Sequence, residues 1–245
     1  MTTDPKVTIR QIYSDFSNEQ PPFSIKNFPE RKLLRNISCS TSREKGFLLT
    51  LFCTLDYNRD AFQLADNIIE LRNDHNFPLS EEVVYTDYEK GELESTFTEI
   101  GFRYPSRDAK GVLHNCELIV ENYGDTPSLL QDVGYSATSL VERLNSDNFL
   151  YLKGKKLAPF YARLVSEHIH PLSDVWELDI PVDTHIRRLS RDLFEEDLSD
   201  DEIRSKWREY GDKLDISPAV VDGGLWLIGN NWGEWGEEYW ETISE

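Results

Sequence analysis

"LKGKKLAPFYARLV", residues 152–165, is the stretch on which the fold turns. One glycine, Gly154, stands among Lys153, Lys155 and Lys156. The run from Leu157 to Ile169 then takes on helical spacing, with Pro159 expected in its first turn, where a missing N–H is tolerated. A turn that brings its backbone close to an anion needs glycine, because a Cβ would obstruct the approach, and the helix N-terminus behind it adds partial positive charge. Three lysines within four residues stand out in a chain with 26 basic against 45 acidic side chains. A solvated basic turn is the alternative, since charge runs usually face water.

Downstream, "IPVDTHIRRLS" (residues 180–190) places Asp183 just before a second helical run containing Arg187, Arg188 and Arg191. An Asp at that position is an ordinary helix cap. It could also be a catalytic carboxylate facing a polyanion held by the arginines, and the two roles are compatible. In "EHIHPLSD", His168 and His170 lie two apart with Asp174 nearby. On a helix that spacing points the rings to different faces, so no metal site is expected. "DDEIRSKWREYGDKL" and "SPAVVDGGLWLIGNNW" supply the last long helices. Trp226, Trp232, Trp235 and Trp240 are expected to pack in the core, with base stacking as the other reading.

Upstream, "SRDAKGVLHNCELIVENYG" reads as a helix. Ser106 is its candidate cap, Ala109, Val112, Leu113, Cys116 and Ile119 form its apolar face, and Gly124 lies beyond its end. "GFLLTLFCTL" is apolar nearly all round. The following "DYNRDAFQLADNIIELRNDH" carries Ala61, Leu64, Ala65, Ile68 and Leu71 on one face, with Asp56 or Asn58 as candidate cap. "SEEVVYTDYEKGELESTFTEIGF" is acidic and helical in part, and "SATSLVERLN" is a short helix. The first residues, including "SNEQPPFSIKNFPE", are polar and proline-punctuated, as in a strapped-down arm. Sustained period-two alternation is missing throughout, which predicts an all-α chain of about ten helices.

The 245 residues are 39% hydrophobic and 12% aromatic, enough for a sizeable core and unlike a disordered chain. The run of apolar residues needed for a membrane span is missing, and "MTTDPKVTIRQ" has no signal core, so a soluble cytoplasmic protein with no membrane partner is expected. Cys39, Cys53 and Cys116 are odd in number and widely spaced, as buried hydrophobes rather than ligands or disulfides. The net charge of −19 weighs against nucleic acid, although a local basic patch can still steer a polyanion.

Three blocks occur in one order that resembles the helix-hairpin-helix DNA glycosylases of the endonuclease III-like superfamily, and a fourth stretch adds to the likeness, over roughly residues 45 to 240. "GFLLTLFCTLDYNRDA" resembles the opening of the family's helical barrel, and "GFRYPSRDAKGVLHNCELIVENYGDTP" its Gly-aromatic loop and following helix. "LKGKKLAPFYARLV" lies where the family has its hairpin, and "IPVDTHIRRLS" is close to its Val-Asp-Thr-His block. The resemblance implies a two-lobed helix-hairpin-helix fold. An N-terminal arm (1–44) would pack on the second lobe. A barrel lobe (45–165) would include the hairpin at about 150–164, and a C-terminal lobe (166–245) would carry Asp183.

By the same resemblance the partner is duplex DNA, bound by a monomer. Asp183 stabilises the oxocarbenium-like sugar of an extruded nucleotide and assists the attacking group. Gly154, Lys153, Lys155 and Lys156 hold the backbone, and Tyr57 and Asn58 fill the gap left by the base. The lysine nucleophile of bifunctional members falls on Ala158 or on Phe160, depending on how the longer hairpin is anchored, which implies a monofunctional enzyme. The four cysteines of the family's iron–sulfur cluster are lacking, so no cofactor is expected. Two other readings stay open. One is a non-catalytic DNA-binding or partner-docking module on the same scaffold; the other is a glycosidase acting on a nucleoside, nucleotide or RNA.

Overall fold

The structure, a computed structural model, describes residues 4–244. These form fourteen α-helices and no named strand; one isolated parallel bridge joins Ser136 to Ser173. In chain order they are α1 (Pro5–Ser17), α2 (Pro29–Asn36), α3 (Ser42–Leu55), α4 (Ala61–Asn73), α5 (Glu81–Asp87), α6 (Lys90–Ile100) and α7 (Pro105–Asn122). There follow α8 (Thr126–Asp132), α9 (Ala137–Ser146), α10 (Gly154–His168), α11 (Thr184–Phe194), α12 (Asp200–Leu214), α13 (Pro218–Asn230) and α14 (Glu237–Ser244). Among the described residues no helix is long and apolar enough to cross a membrane.

Two compact units divide the chain. Residues 28–175 make the first, built around α3. A capping box, Thr41 with Glu44, starts that helix, and every residue from Gly46 to Leu55 is buried. A helix that is apolar all round has to be surrounded, and α7, α8 and α10 pack against α3. Each fully buried Leu or Phe on it contributes about 1.5–3 kcal/mol. A polar seam crosses this core: Tyr161 Oη meets Thr50 Oγ1 at 2.8 Å, and Thr126 Oγ1 donates to the buried Glu81 at 2.6 Å.

The second unit joins residues 1–27 to 176–245. Here α13, buried on Ala219, Val221, Leu225, Leu227 and Ile228, takes the place α3 holds in the other unit, with α1, α11, α12 and α14 against it. The expected arm over residues 1–44 contains two helices, one in each unit. Asp4 caps α1, Pro5 opens it, and Thr8, Ile9 and Ile12 are its buried stripe. Tyr239 of α14 donates to Asp15 at 2.8 Å, and burial together with that carboxylate pushes its phenol far above the usual value.

Local expectations need four corrections. Neither Asp56 nor Asn58 caps α4; Asp60 does, accepting from Phe62 N at 2.8 Å and Gln63 N at 3.0 Å. Ser106 does not cap α7, which starts at Pro105, where the missing N–H costs nothing. Helix α10 starts at Gly154, three residues before the expected Leu157, so Pro159 lies in its second turn and removes the donor that Lys155 O would have used. Cys53 and Cys116 are buried, but Cys39 is only half-buried.

Candidate nucleic-acid interface

In the first unit, α9 and α10 form the hairpin. Gly154 opens α10 at φ +90°, a region closed to most side chains, and its N–H donates to Asn145 Oδ1 at 2.8 Å. A Cβ there would meet nothing within 4 Å, so the glycine answers to backbone conformation and leaves open space in front of it. Asn145 takes the first amide of this helix end, the N-cap residue Lys153 supplies no side-chain cap, and Lys153, Lys155 and Lys156 are all exposed around it. A helix N-terminus whose N-cap residue offers no acceptor, flanked by ammonium groups, suits an anion. Helix α9, by contrast, is capped by Ser136, which accepts from Ser139 N at 3.1 Å, and Asp174 accepts from Ala137 N at 2.8 Å. Burial alone would raise that carboxyl, but hydrogen bonds from Thr138, Ala137, Ser136 and Ser173 outweigh it and hold the group below its ordinary value.

One face of α7 carries the hairpin loop. Asn115 accepts from Leu150 N at 2.8 Å and donates to Leu150 O at 2.9 Å. His114 Nε2 lies 3.2 Å from Asn148 O. The Tyr151 ring rests on Gly111, where a Cβ would come within 2.7 Å of it, and the Arg107 guanidinium stands 3.7 Å from the same ring's centroid. Asn148 and Tyr151 hold φ of 61° and 59°, which non-glycine residues seldom adopt.

Tyr57 and Asn58 sit in the loop between α3 and α4, and Tyr57 is 51% exposed. Arg107 also lies over Tyr57, 4.3 Å from its centroid, so the loop of Tyr57 and the hairpin loop meet at one guanidinium. Beneath them Asp108 is fully buried. Arg59 Nη2 donates to both its oxygens at 2.9 Å, and Arg107 Nη1 donates to one at 3.1 Å. Burial pushes the Asp108 carboxyl up, and the two arginines pull it only part of the way back. Arg103 donates to Asn58 O and lies 5.2 Å from the Tyr104 centroid. This cluster of three arginines and three tyrosines escaped the sequence reading, although "FRYPSR" and "DYNR" each pair an aromatic residue with arginine.

In the second unit, Asp183 is half-buried and caps α11: its Oδ1 accepts from His185 N and Ile186 N, both at 2.8 Å. Among the described residues no hydrogen bond reaches Oδ2. The three arginines behind it are engaged elsewhere and do not form the expected polyanion clamp. Arg187 grips Asp200 through two parallel bonds of 2.9 and 3.0 Å, which hold the Asp200 carboxyl below its usual value. Arg188 donates to Gly229 O at 3.2 Å and covers the Trp232 ring at 4.0 Å; Arg191 donates to Leu198 O and pairs with Asp197. They brace α11 against α12 and α13 rather than reach for a ligand.

Of the four C-terminal tryptophans expected in the core, Trp240 alone is buried, and Trp226, Trp232 and Trp235 are half-buried. Trp240 donates to Asp192, Trp235 meets Phe23 edge to face at 5.6 Å, and Trp226 meets His185 at 6.4 Å. His170 stacks on Tyr135 at 4.1 Å, and His168 lies on α10 beside Glu167. Among the described residues no cluster of His, Cys, Asp or Glu could hold a metal ion.

No protein-family model matches the chain, and no curated protein matches it either. Among solved structures, it is similar to the 8-oxoguanine glycosylase/lyase of Methanocaldococcus jannaschii in complex with a 15mer DNA containing 8-oxoguanine. That match has 17% identity and a TM-score of 0.56, and covers 88% of this chain and 95% of that one. The 8-oxoguanine DNA glycosylase of Thermotoga maritima gives 18% identity and a TM-score of 0.56 over 91% of this chain and 95% of its own. A second structure of the M. jannaschii 8-oxoguanine DNA glycosylase gives 18% and 0.54 over 89% and 91%. The chain has the all-α fold of these 8-oxoguanine DNA glycosylases.

Proposed function

We propose that this protein is a DNA base-excision glycosylase that acts, as a monomer in the cytoplasm, on duplex DNA carrying an oxidised guanine. The observation that carries the reading is Asp183. Within a glycosylase fold, its carboxylate spends one oxygen on the N-terminus of α11 and, among the described residues, leaves the other without a hydrogen bond. The helix end fixes the side chain's rotamer, so Oδ2 is held ready for positive charge developing on a sugar. As the N-glycosidic bond breaks, its electron pair leaves with the base and the sugar becomes oxocarbenium-like. Water adds to the sugar carbon and gives its proton to Oδ2. Extrusion of the nucleotide must come first. Gly154 with Lys153, Lys155 and Lys156 would take backbone phosphates, and Tyr57 and Asn58 would occupy the vacated stack.

Water as nucleophile is the first reading, because Ala158 and Phe160 carry no amine. One observation favours a second: Lys155 and Lys156 stand exposed in the first turn of α10. Either amine could attack the sugar carbon in place of water as the base leaves with its bond pair. The amine then loses its protons as the ring C–O bond opens, one of them passing to the ring oxygen, and an imine results. Borohydride trapping on an 8-oxoguanine duplex separates the two. Base release without a trapped adduct establishes hydrolysis, whereas an adduct lost in Lys155→Ala or Lys156→Ala establishes the lyase route. A panel of duplexes with 8-oxoguanine, uracil, thymine mismatches and alkylated adenine tests the reading itself. Tight binding with no base released from any of them would leave a DNA-binding module instead. Activity on free nucleosides, nucleotides or RNA with none on duplex would mean a different glycosidase.

A further inference from the structure

We infer that Arg107 is a positioning residue that locks the Tyr57 loop and the hairpin loop into a single register. The inference deepens the glycosylase reading and rests on it for the role of the two loops in binding DNA. The link itself belongs to the free protein.

Both loops are tied to α7 and the turn that leads into it by separate contacts. The loop of residues 56–60 is held by Arg59 on Asp108 and by Arg103 on Asn58 O. The hairpin loop is held by Asn115 on Leu150, His114 on Asn148 and Gly111 under Tyr151. Arg107 is the side chain that contributes to both sets, since its guanidinium lies 4.3 Å from the Tyr57 centroid and 3.7 Å from the Tyr151 centroid. Its charge is fixed from below by the fully buried Asp108. Among the described residues its buried Nη2 has no hydrogen-bond partner, so the two rings, rather than a full set of acceptors, define the plane of the group.

A delocalised planar cation can lie against aromatic rings in a way that a compact ammonium cannot. Asn58, Asn148 and Tyr151 all sit at positive φ, between 48° and 61°. Such backbone keeps its shape only when its surroundings over-determine it. Loosening the shared guanidinium should therefore release both loops together, and a wedge and a phosphate clamp that drift independently cannot engage one duplex in a fixed geometry.

Amide hydrogen exchange on the free protein tests the link in Arg107→Lys, Arg107→Ala, Tyr57→Ala and Tyr151→Ala. The expected result is exchange roughly three- to tenfold faster in both 56–60 and 148–153 for each arginine variant. Tyr57→Ala should loosen 148–153 as well, and should add nothing in the Arg107→Ala background. Wild-type exchange in Arg107→Lys would mean that the ion pair with Asp108 suffices and would overturn the proposal; so would a response confined to one loop. Duplex binding and base release are measured on the same set. Coupled loops in a protein that neither binds nor cleaves would sink the glycosylase reading and keep the link. Full base release with uncoupled loops would do the reverse.

Discussion

A Cβ placed on Gly229 would stand 2.4 Å from His185 Cβ and 2.9 Å from its Nδ1, so α13 presses its backbone against the first turn of α11. That turn carries Asp183 as its cap, and Arg188 from the same helix donates to the Gly229 carbonyl at 3.2 Å. Gly229→Ala must push the two helices apart. Overpacking of this kind costs about 1–3 kcal/mol, and denaturant unfolding should show it as a lower midpoint. Base release by the folded fraction should fall further than the stability loss explains, because the displaced turn is the one that aims the carboxylate. A wild-type midpoint in Gly229→Ala would show that the helix pair has slack to give.

Asp183→Asn and Asp183→Ala separate the cap from the chemistry. An amide oxygen can still accept from His185 N and Ile186 N, as the carboxylate does at 2.8 Å, and Asn is as good a cap as Asp. Asp183→Asn should therefore unfold within about 0.5 kcal/mol of wild type, while Asp183→Ala should lose about 1 kcal/mol. Both should lose base release, and both should still bind an 8-oxoguanine duplex. Substantial excision by the Asn variant would remove Asp183 from the reaction.

What could be read from the sequence follows from which contacts are local. The helices of the first unit were legible because Ala109, Val112, Cys116 and Ile119 recur at helical spacing and are buried as a stripe. The Asp183 cap was legible for the same reason: it bonds to amides two and three residues away. Helix α1 was obscured by the polar, proline-rich stretch around it, although Asp4-Pro5 before Ile9 and Ile12 is a helix-start signal. The fates of Arg187, Arg188 and Arg191 were not legible, because their partners Asp200, Gly229 and Leu198 lie 13, 41 and 7 residues on. The meeting of Tyr57, Arg107 and Tyr151 likewise joins three segments that only the packing of α7 brings to one place.

The hairpin should behave as an anion site whose affinity depends on salt. If Lys153, Lys155 and Lys156 each neutralise a phosphate, replacing one by Ala should lower the slope of log K against log salt by about one, uniformly across sequences. Gly154→Ala tests the backbone instead. A Cβ there has open space but must accept φ +90°, so the cost is about 1 kcal/mol of strain rather than a clash. Duplex affinity should drop in this variant while the charge is unchanged. Equal affinity and slope in all four variants would leave the turn as a solvated basic loop.

Glu30 predicts a pH dependence that does not involve the candidate site. It lies buried at the start of α2, and burial raises its carboxyl from 4.5 to about 7, with Arg163 and Arg31 pulling it down and Glu167 adding to the rise. A raised carboxyl means that the folded protein holds a proton which the unfolded chain has released. Stability from this group is therefore fully present below pH 4.5 and is lost as pH rises through about 7. With each pH unit worth about 1.4 kcal/mol, the loss is on the order of 3 kcal/mol. Glu30→Gln cannot titrate, so its stability relative to wild type should climb from pH 4.5 to about 7 and then level off. Denaturant melts of the two proteins at pH 4.5, 6 and 8 measure it, and a constant offset would mean that Glu30 keeps its charge in the core with Arg163 compensating in full.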